Sequence, residues 1–182
     1  MTFLMAAMLV GGLTGLDGTY YESRSGQQEG QGVQKAAAAG KSTMKVHYID
    51  VGQGSAVLVQ SGVHFMLIDG GDSDASSKVV SYLKRQKVKK LDYVVVSHYD
   101  SDHLNGVVGA LNVFKVKRVI APAYTADSRV YESYCNIIAQ KKIATTRPKV
   151  GKKYKLGKAR FTILAPNSSG YVDENNYSIA LK

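Results

Sequence analysis

The apolar residues of this chain fall into short runs whose spacing changes from two to about 3.6 residues and back again. Lys45 to Val51 sets Val46, Tyr48 and a partly buried Ile49 among polar neighbours, which reads as a strand. Gly52-Gln53-Gly54 is a turn. Ala56 to Gln60 and Val63 to Ile68 are two apolar runs joined by Ser61-Gly62, a hairpin signal. Asp69-Gly70-Gly71-Asp72 closes the second run. Ser73 or Asp74 can cap a helix from about Ala75 to Gln86, with Val79, Val80 and Leu83 on one face. Leu91 to Val96 reads as a buried strand. A helix from about Gly106 to Phe114 follows, then a short strand from Arg118 to Ala121. Asp127 or Ser128 opens a further helix whose Val130, Tyr131, Tyr134, Ile137 and Ile138 recur at helical spacing. Strand-like segments come next near Ile143 to Thr146, Lys152 to Leu156 and Arg160 to Leu164, with a hairpin turn at Lys155 to Lys158. Tyr177 to Leu181 is the last strand-like run. A hairpin-rich start followed by alternating helix and strand argues for α/β layers and against an all-β barrel.

The pattern is absent from the first part of the chain. Residues 1–16 are uncharged and mostly apolar, the length of a signal-peptide core and short for a membrane span. They are expected to direct the chain to a secreted or extracytoplasmic place, or to stay as an uncleaved anchor giving weak membrane attachment. Residues 17–43 are rich in Gly, Ser, Gln and Ala and read as a flexible linker, in which Lys35 to Gly40 can form a short helix. The ordered domain is expected over residues 44–182.

Just past the Leu91–Val96 run stands Ser97-His98-Tyr99-Asp100-Ser101-Asp102-His103. Two imidazoles and two carboxylates fall within six residues, and these are the side chains that hold Zn²⁺ or Mn²⁺. A divalent cation, or two, is the economical reason to gather four such groups at the C-terminal end of a strand, where open α/β layers collect ligands. His47 and His64 read instead as ordinary strand residues, His47 packed or at the surface and His64 exposed. Tyr99 either lines a cleft or packs beneath the loop.

Charge adds a candidate substrate class. The formal net charge is +10. Residues 1–43 sum to zero, so the excess lies in residues 44–182, in Lys84 to Lys90, Lys115 to Arg118 and Lys141 to Arg160. Such a field attracts a polyanion, nucleic acid or an anionic surface, although a solubilising surface looks the same in sequence. The single cysteine, Cys135, rules out an intrachain disulfide and reads as a buried small residue in a helix.

Four motifs in order resemble the metallo-β-lactamase superfamily, and within it the ComEC-like competence proteins. They are Ile49-Asp50-Val51-Gly52-Gln53-Gly54, Leu67-Ile68-Asp69-Gly70-Gly71, the His98 to His103 cluster with Asn105-Gly106, and Asn175-Asn176-Tyr177-Ser178-Ile179-Ala180-Leu181. The resemblance implies an αββα sandwich with a di-metal centre at one edge, of which this chain would hold the N-terminal portion. It implies two divalent ions, zinc or manganese. His98 and Asp100 would serve one metal, and Asp102 and His103 the other. Asp69 would orient ligands from behind, and Asp102 would also assist proton handling. Ser55 stands where the family usually has an acidic residue. The family's later motifs, Thr-Gly-Asp and His-His-Gly-Ser, do not occur, which reads as a fragment of a longer protein.

Two functions follow as expectations. One is a metal-dependent phosphodiesterase or nuclease acting on DNA outside the cytoplasm, in DNA uptake, with no stable protein partner. The other is a non-catalytic polyanion-binding module, or an inactive fragment of a longer metallo-hydrolase.

Overall fold

The computed structural model describes Val33–Ala36 and residues 44–182. Residues 1–16, and the linker apart from Val33–Ala36, lie outside the described residues. The elements in chain order are β1 (Val33–Ala36), β2 (Met44–Tyr48), β3 (Val57–Ser61), β4 (His64–Ile68), α1 (Ser76–Arg85), β5 (Lys90–Leu91) and β6 (Tyr93–Val95). They continue with α2 (Ser101–Val113), β7 (Lys115–Val116), β8 (Arg118–Ile120), α3 (Arg129–Gln140), β9 (Ala144–Thr146), β10 (Lys153–Leu156), β11 (Ala159–Ala165) and β12 (Ala180–Leu181).

The main sheet has the order β1-β2-β3-β4-β6-β8-β9. Its first four strands are antiparallel, and β4, β6, β8 and β9 run parallel. Each parallel step crosses over through one helix, and the usual right-handed crossover brings all three helices to the same face. A second sheet, β10-β11-β12, covers the other face.

Side-chain alternation shows why both faces are buried. Leu58, Phe65, Leu67, Val94 and Val119 point toward the helices and pack with Val79, Leu83, Leu104, Val107 and Leu111. Their neighbours Val57, Val59, Met66, Ile68, Val95 and Ile120 point the other way, onto Leu156, Phe161, Ile163, Ile179 and Leu181. A strand buried on both faces reads as a continuous apolar run, which is how the sequence displays Val57 to Val59 and Phe65 to Ile68. The layers are therefore helix, sheet, sheet, in the α/β order expected of the αββα sandwich.

Several expectations move by a few residues. α2 starts at Ser101, five residues before the expected Gly106, so Asp102 and His103 stand on a helix and not in a loop. Asp, His and Gly are poor helix formers that masked its first turns, and tertiary packing overrides that preference. α1 has Ala75 at its N-cap and no side-chain cap in place of Ser73 or Asp74; the 3₁₀ turn Ser73–Ala75 leads into it, and Asp72 Oδ1 caps that turn by accepting from Ser73 N at 2.6 Å. Cys135 is exposed, not buried. The inward stripe of α3 is Tyr134 and Ile137, flanked by Tyr131 and Ile138, and position 135 is turned about 100° from Tyr134. His64 is half-buried, with Nδ1 3.0 Å from Asp92 Oδ2. Within the expected linker, Val33–Ala36 pairs with β2 as an edge strand, which replaces the start of the short helix read at Lys35.

His47 is buried among the helix-side core, with Nδ1 2.9 Å from the Tyr82 hydroxyl, while Nε2 has no hydrogen-bond partner. Burial, reinforced by the Lys45 charge, lowers its pKa. The folded state therefore keeps the ring neutral where an unfolded chain takes up a proton. Stability from this group is full above about pH 6.5 and is lost as the pH falls toward the depressed folded value. Replacing both partners, His47→Leu with Tyr82→Phe, removes the group without stranding a hydroxyl. Urea midpoints at pH 7 and pH 5 should then show a smaller acid loss in the double variant than in the parent. An equal loss in both proteins would refute this account.

Candidate metal centre

β4, β6 and β8 are parallel, so the segments that follow them emerge at one edge of the main sheet. Asp69 follows β4, Ser97 to Asp100 follow β6, and α2 carries Asp102 and His103 in its first turn. Two glycine contacts bring these pieces together. Gly70 and Gly106 meet backbone to backbone, closer than any Cβ permits, so the turn after β4 lies directly on α2. Gly54, at φ +95°, lies against the Asp102 carbonyl, and Ser55 N donates to that carbonyl at 3.4 Å. Gly70 N donates to the His103 carbonyl at 2.8 Å. The Gly-Gln-Gly and Asp-Gly-Gly motifs are thus the seats on which the first turn of α2 rests.

Asp69 is fully buried and adopts φ +56°, a left-handed conformation that Asp tolerates better than most side chains. Its Oδ1 accepts from Ser97 N at 2.7 Å. Its Oδ2 accepts from Ser97 Oγ at 2.7 Å and from His103 Nδ1 at 2.9 Å. A carboxylate only accepts, so His103 carries its proton on Nδ1 and presents Nε2 as a bare lone pair. The Ser97 hydroxyl, having given its proton to Asp69, accepts from His98 Nδ1 at 3.0 Å, and Ser178 Oγ stands 3.2 Å from the same nitrogen. His98 Nε2 is therefore bare as well. The two rings are 4.0 Å apart between centroids.

Each bare nitrogen faces a carboxylate oxygen. His98 Nε2 is 3.5 Å from Asp100 Oδ2, and His103 Nε2 is 3.9 Å from Asp102 Oδ2. Asp100 is the N-cap residue of α2, yet its side chain makes no capping bond and remains free. At His98, whose pKa is lowered, the two acceptors face each other with no proton between them and repel, and a cation relieves that; at His103, whose pKa is raised, a cation and a proton compete for Nε2. Ligands about 2.1 Å from a tetrahedral ion stand about 3.4 Å apart, so the first pair has the spacing of two ligands on one ion. The donor set fits a divalent metal in chemistry and in pairs. Among the described residues, no three His, Cys, Asp or Glu side chains converge into a formed cage.

The electrostatics follow from the packing. Burial lowers His98, the neighbouring His103 adds to this, and the surrounding carboxylates oppose it. Burial also acts to lower His103, but the Asp69 hydrogen bond and the charges of Asp69, Asp102 and Asp100 outweigh it and raise the pKa.

All five site residues named from sequence, His98, Asp100, Asp102, His103 and Asp69, meet at this edge. Tyr99 packs beneath the loop: its hydroxyl donates to Pro122 O at 3.0 Å, and its N–H donates to the Tyr124 hydroxyl at 2.8 Å. Asn175 and Asn176 belong to a 3₁₀ turn at the surface, Asn175 bonding to Asp173. Ser97 and Ser178 were missed as supports, although both stand inside the quoted motifs. Ser178 reaches His98 because Ile179 N donates to Ser97 O at 3.1 Å, which docks the last strand on the cluster. Tyr124, Tyr177 and Tyr171 were also missed. Their partly exposed rings pack in series, Tyr124 on Tyr177 at 4.6 Å and Tyr177 on Tyr171 at 5.1 Å.

A helix-sheet-sheet sandwich with His-x-Asp-x-Asp-His at the C-terminal edge of its parallel strands defines a class, and the chain belongs to the metallo-beta-lactamase superfamily, whose profile matches residues 49–161. Within it the curated relatives are competence proteins and a recombination protein. The chain is 26% identical to "ComE operon protein 3" of Bacillus subtilis (strain 168), over 75% of this chain and 20% of that protein. It is 25% identical to "Recombination protein 2" of Haemophilus influenzae, over 78% of this chain and 17% of that protein. Over a shorter stretch, 31% of this chain and 8% of the relative, it is 41% identical to "Competence protein ComA" of Neisseria gonorrhoeae. The first two matches thus take in a fifth or less of those relatives' length.

Among solved structures, the metallo-beta-lactamase SMB-1 in complex with mercaptoacetic acid superposes with a TM-score of 0.50 at 20% identity, over 66% of this chain and 49% of that one. MEM-A1, a subclass B3 metallo-beta-lactamase from a soil metagenome library, gives 0.50 at 19%, over 66% and 48%. At these identities the likeness is one of fold.

Proposed function

We propose that this chain is the metal-binding portion of a hydrolase that cleaves phosphodiesters in DNA outside the cytoplasm, in the setting of DNA uptake. The observation that carries the reading is the pair of bare imidazole nitrogens facing carboxylates across 3.5 and 3.9 Å, set in place by one buried aspartate. Two divalent ions, zinc or manganese, would be held by His98 with Asp100 and by Asp102 with His103. Bound there, they supply Lewis acidity, screening phosphate charge and making water a better nucleophile at neutral pH.

The residues themselves orient and move protons. Asp69 keeps the His103 proton on Nδ1, and Ser97 with Ser178 does the same for His98. Asp102, partly exposed on the first turn of α2, is placed to take a proton from attacking water. The rings of Tyr124, Tyr177 and Tyr171 offer flat faces beside the centre for bases to stack upon. The competence and recombination names of the relatives support DNA as the substrate.

The test is cleavage of a labelled DNA oligonucleotide with Mn²⁺ or Zn²⁺ present. His98→Ala and Asp102→Ala should each lower the rate by about 10²-fold or more, with circular dichroism unchanged, and chelation should abolish it. Variants that cut as fast as the parent would refute the metal mechanism. A second reading, a non-catalytic polyanion binder, is favoured by the two-ligand pairs, since among the described residues neither reaches three donors. Elemental analysis separates the two: about two tightly held ions per chain support the enzyme, and a folded chain without metal supports the binder.

A further inference from the structure

We propose that the end of the domain opposite the metal centre is a docking surface for an anionic phospholipid bilayer. The parallel strands run from one end to the other, so whatever precedes them or follows the helices lies far from His98 and His103. Lys84, Arg85 and Lys87 come at the C-terminal end of α1, Lys90 on β5, and Lys115 and Lys117 beside β7. All six are exposed, and among the described residues none forms an ion pair. Lys90 and Lys115 are direct cross-strand neighbours in a parallel pair, a like-charge contact that costs stability unless a negative surface offsets it. Among the described residues the acidic side chain nearby is Asp92, which is buried against His64.

The opposite end is richer in acids: Asp69, Asp100 and Asp102 stand against the two histidines, Asp72 is reached from α2 through Asn105, and Asp50 there is paired with Lys78. The molecule is thus an electrical dipole along its strands. Sequence alone left Lys84 to Lys90 open to nucleic acid, to an anionic surface or to a solubilising role. The fold sets these residues at least a strand's length away, about 16 Å along β4, so a phosphate bound to them is not one presented for cleavage.

A bilayer fits better than a second nucleic-acid segment because the same end shows exposed apolar side chains. Val63, at the tip of the β3–β4 hairpin, is 79% exposed, and Val113, at the end of α2, is 49% exposed. Basic residues around exposed aliphatic tips are the surface of a peripheral membrane contact, where each signal alone is weak and the two together hold. Docked in this way, the acidic metal end points away from the lipid into water.

The test is flotation of the full chain with phosphatidylcholine vesicles, with and without phosphatidylglycerol, and the readout is the increment due to the anionic lipid. Combined alanine replacement of Lys84, Lys87, Lys90, Lys115 and Lys117 should cut that increment at least about tenfold, each lysine near the surface counting for roughly fivefold. The control Lys153→Ala with Lys155→Ala and Arg160→Ala removes charge from the outer face of the second sheet and should change it less than about twofold. Val63→Ser, a neutral change at an exposed tip, should lower it severalfold with the charge of the cluster unaltered. The inference is overturned by any of three results: no phosphatidylglycerol increment, an equal loss in the control, or a loss of DNA affinity with the increment intact. Hydrolysis of DNA free in solution does not enter the readout, so the failure of the proposed function and the failure of this surface are distinguishable.

Discussion

Asp69→Asn is expected to leave a folded protein that has lost most of its hold on metal. Asn tolerates the left-handed backbone at φ +56° and keeps the shape of the side chain. Its Oδ1 can still accept from Ser97 N. Its amide, however, places N–H where Oδ2 accepted from Ser97 Oγ and His103 Nδ1. To meet that donor, His103 must turn Nδ1 into an acceptor, which moves its proton to Nε2, the nitrogen that faces Asp102. A protonated Nε2 cannot bind a cation. Metal affinity should fall by about 10–100-fold, the usual effect of losing the group behind a ligating histidine. The rearranged buried network should lower stability by about 1–3 kcal/mol. Competition against a chelating dye reads the first, and urea unfolding of the metal-free chain reads the second. Unchanged metal affinity in a folded Asp69→Asn variant would show that Asp69 has no part in preparing the site.

Gly106→Ala should be among the most damaging single changes available in the chain. A Cβ at Gly106 would overlap the Gly70 carbonyl, and one at Gly70 would overlap the backbone of Val107. Both partners are backbone, so neither can rotate away. The helix would have to lift off the turn after β4, breaking Gly70 N to His103 O and Gly106 N to Gly71 O together. We expect a loss of about 3 kcal/mol or more in urea unfolding, accompanied by loss of metal binding, because α2 carries Asp102 and His103. Gly109→Ala is the matched control on the same helix. Its Cβ would meet the Ser76 hydroxyl, the end of a side chain that can turn aside, and alanine is the better helix former by about 1 kcal/mol. That variant should be close to neutral. Similar losses in both would mean that helix interior geometry, and not the Gly70–Gly106 contact, decides the effect.

These effects act at different depths in the site. Asp69 and the two serines decide which nitrogen of each histidine is bare. The paired glycines decide whether the histidines stand near Asp69 at all. The tyrosine series forms a wall beside the ligands, and the basic end is remote from all of them.

Much of this was legible in the chain. The Ser61-Gly62 hairpin and the helical spacing of Tyr131, Tyr134 and Ile138 identified their elements because burial on one or both faces imposes a period, whereas the Leu91–Val96 run divides between β5, which pairs with β7, and β6 of the main sheet. The His98 to His103 cluster marked the candidate site because few reasons exist to gather four side chains able to bind metal in six residues. Four things needed the tertiary structure. The start of α2 at Ser101 was hidden because Asp, His and Gly oppose a helix that packing against Gly54 and Gly70 sustains. Cys135 was misread because helical phase is fixed by the neighbours that pack, not by the residue's own hydrophobicity. The tautomers of His98 and His103 depend on Ser97, which adjoins His98 in sequence, and on Asp69 and Ser178, which the fold brings in across 28 to 80 residues, and no local pattern reports those two. The sign of each end of the molecule was invisible as well. A net charge of +10 is a sum over composition, whereas the separation of acidic and basic ends is created by parallel strands that send their C-terminal loops one way and their helix ends the other.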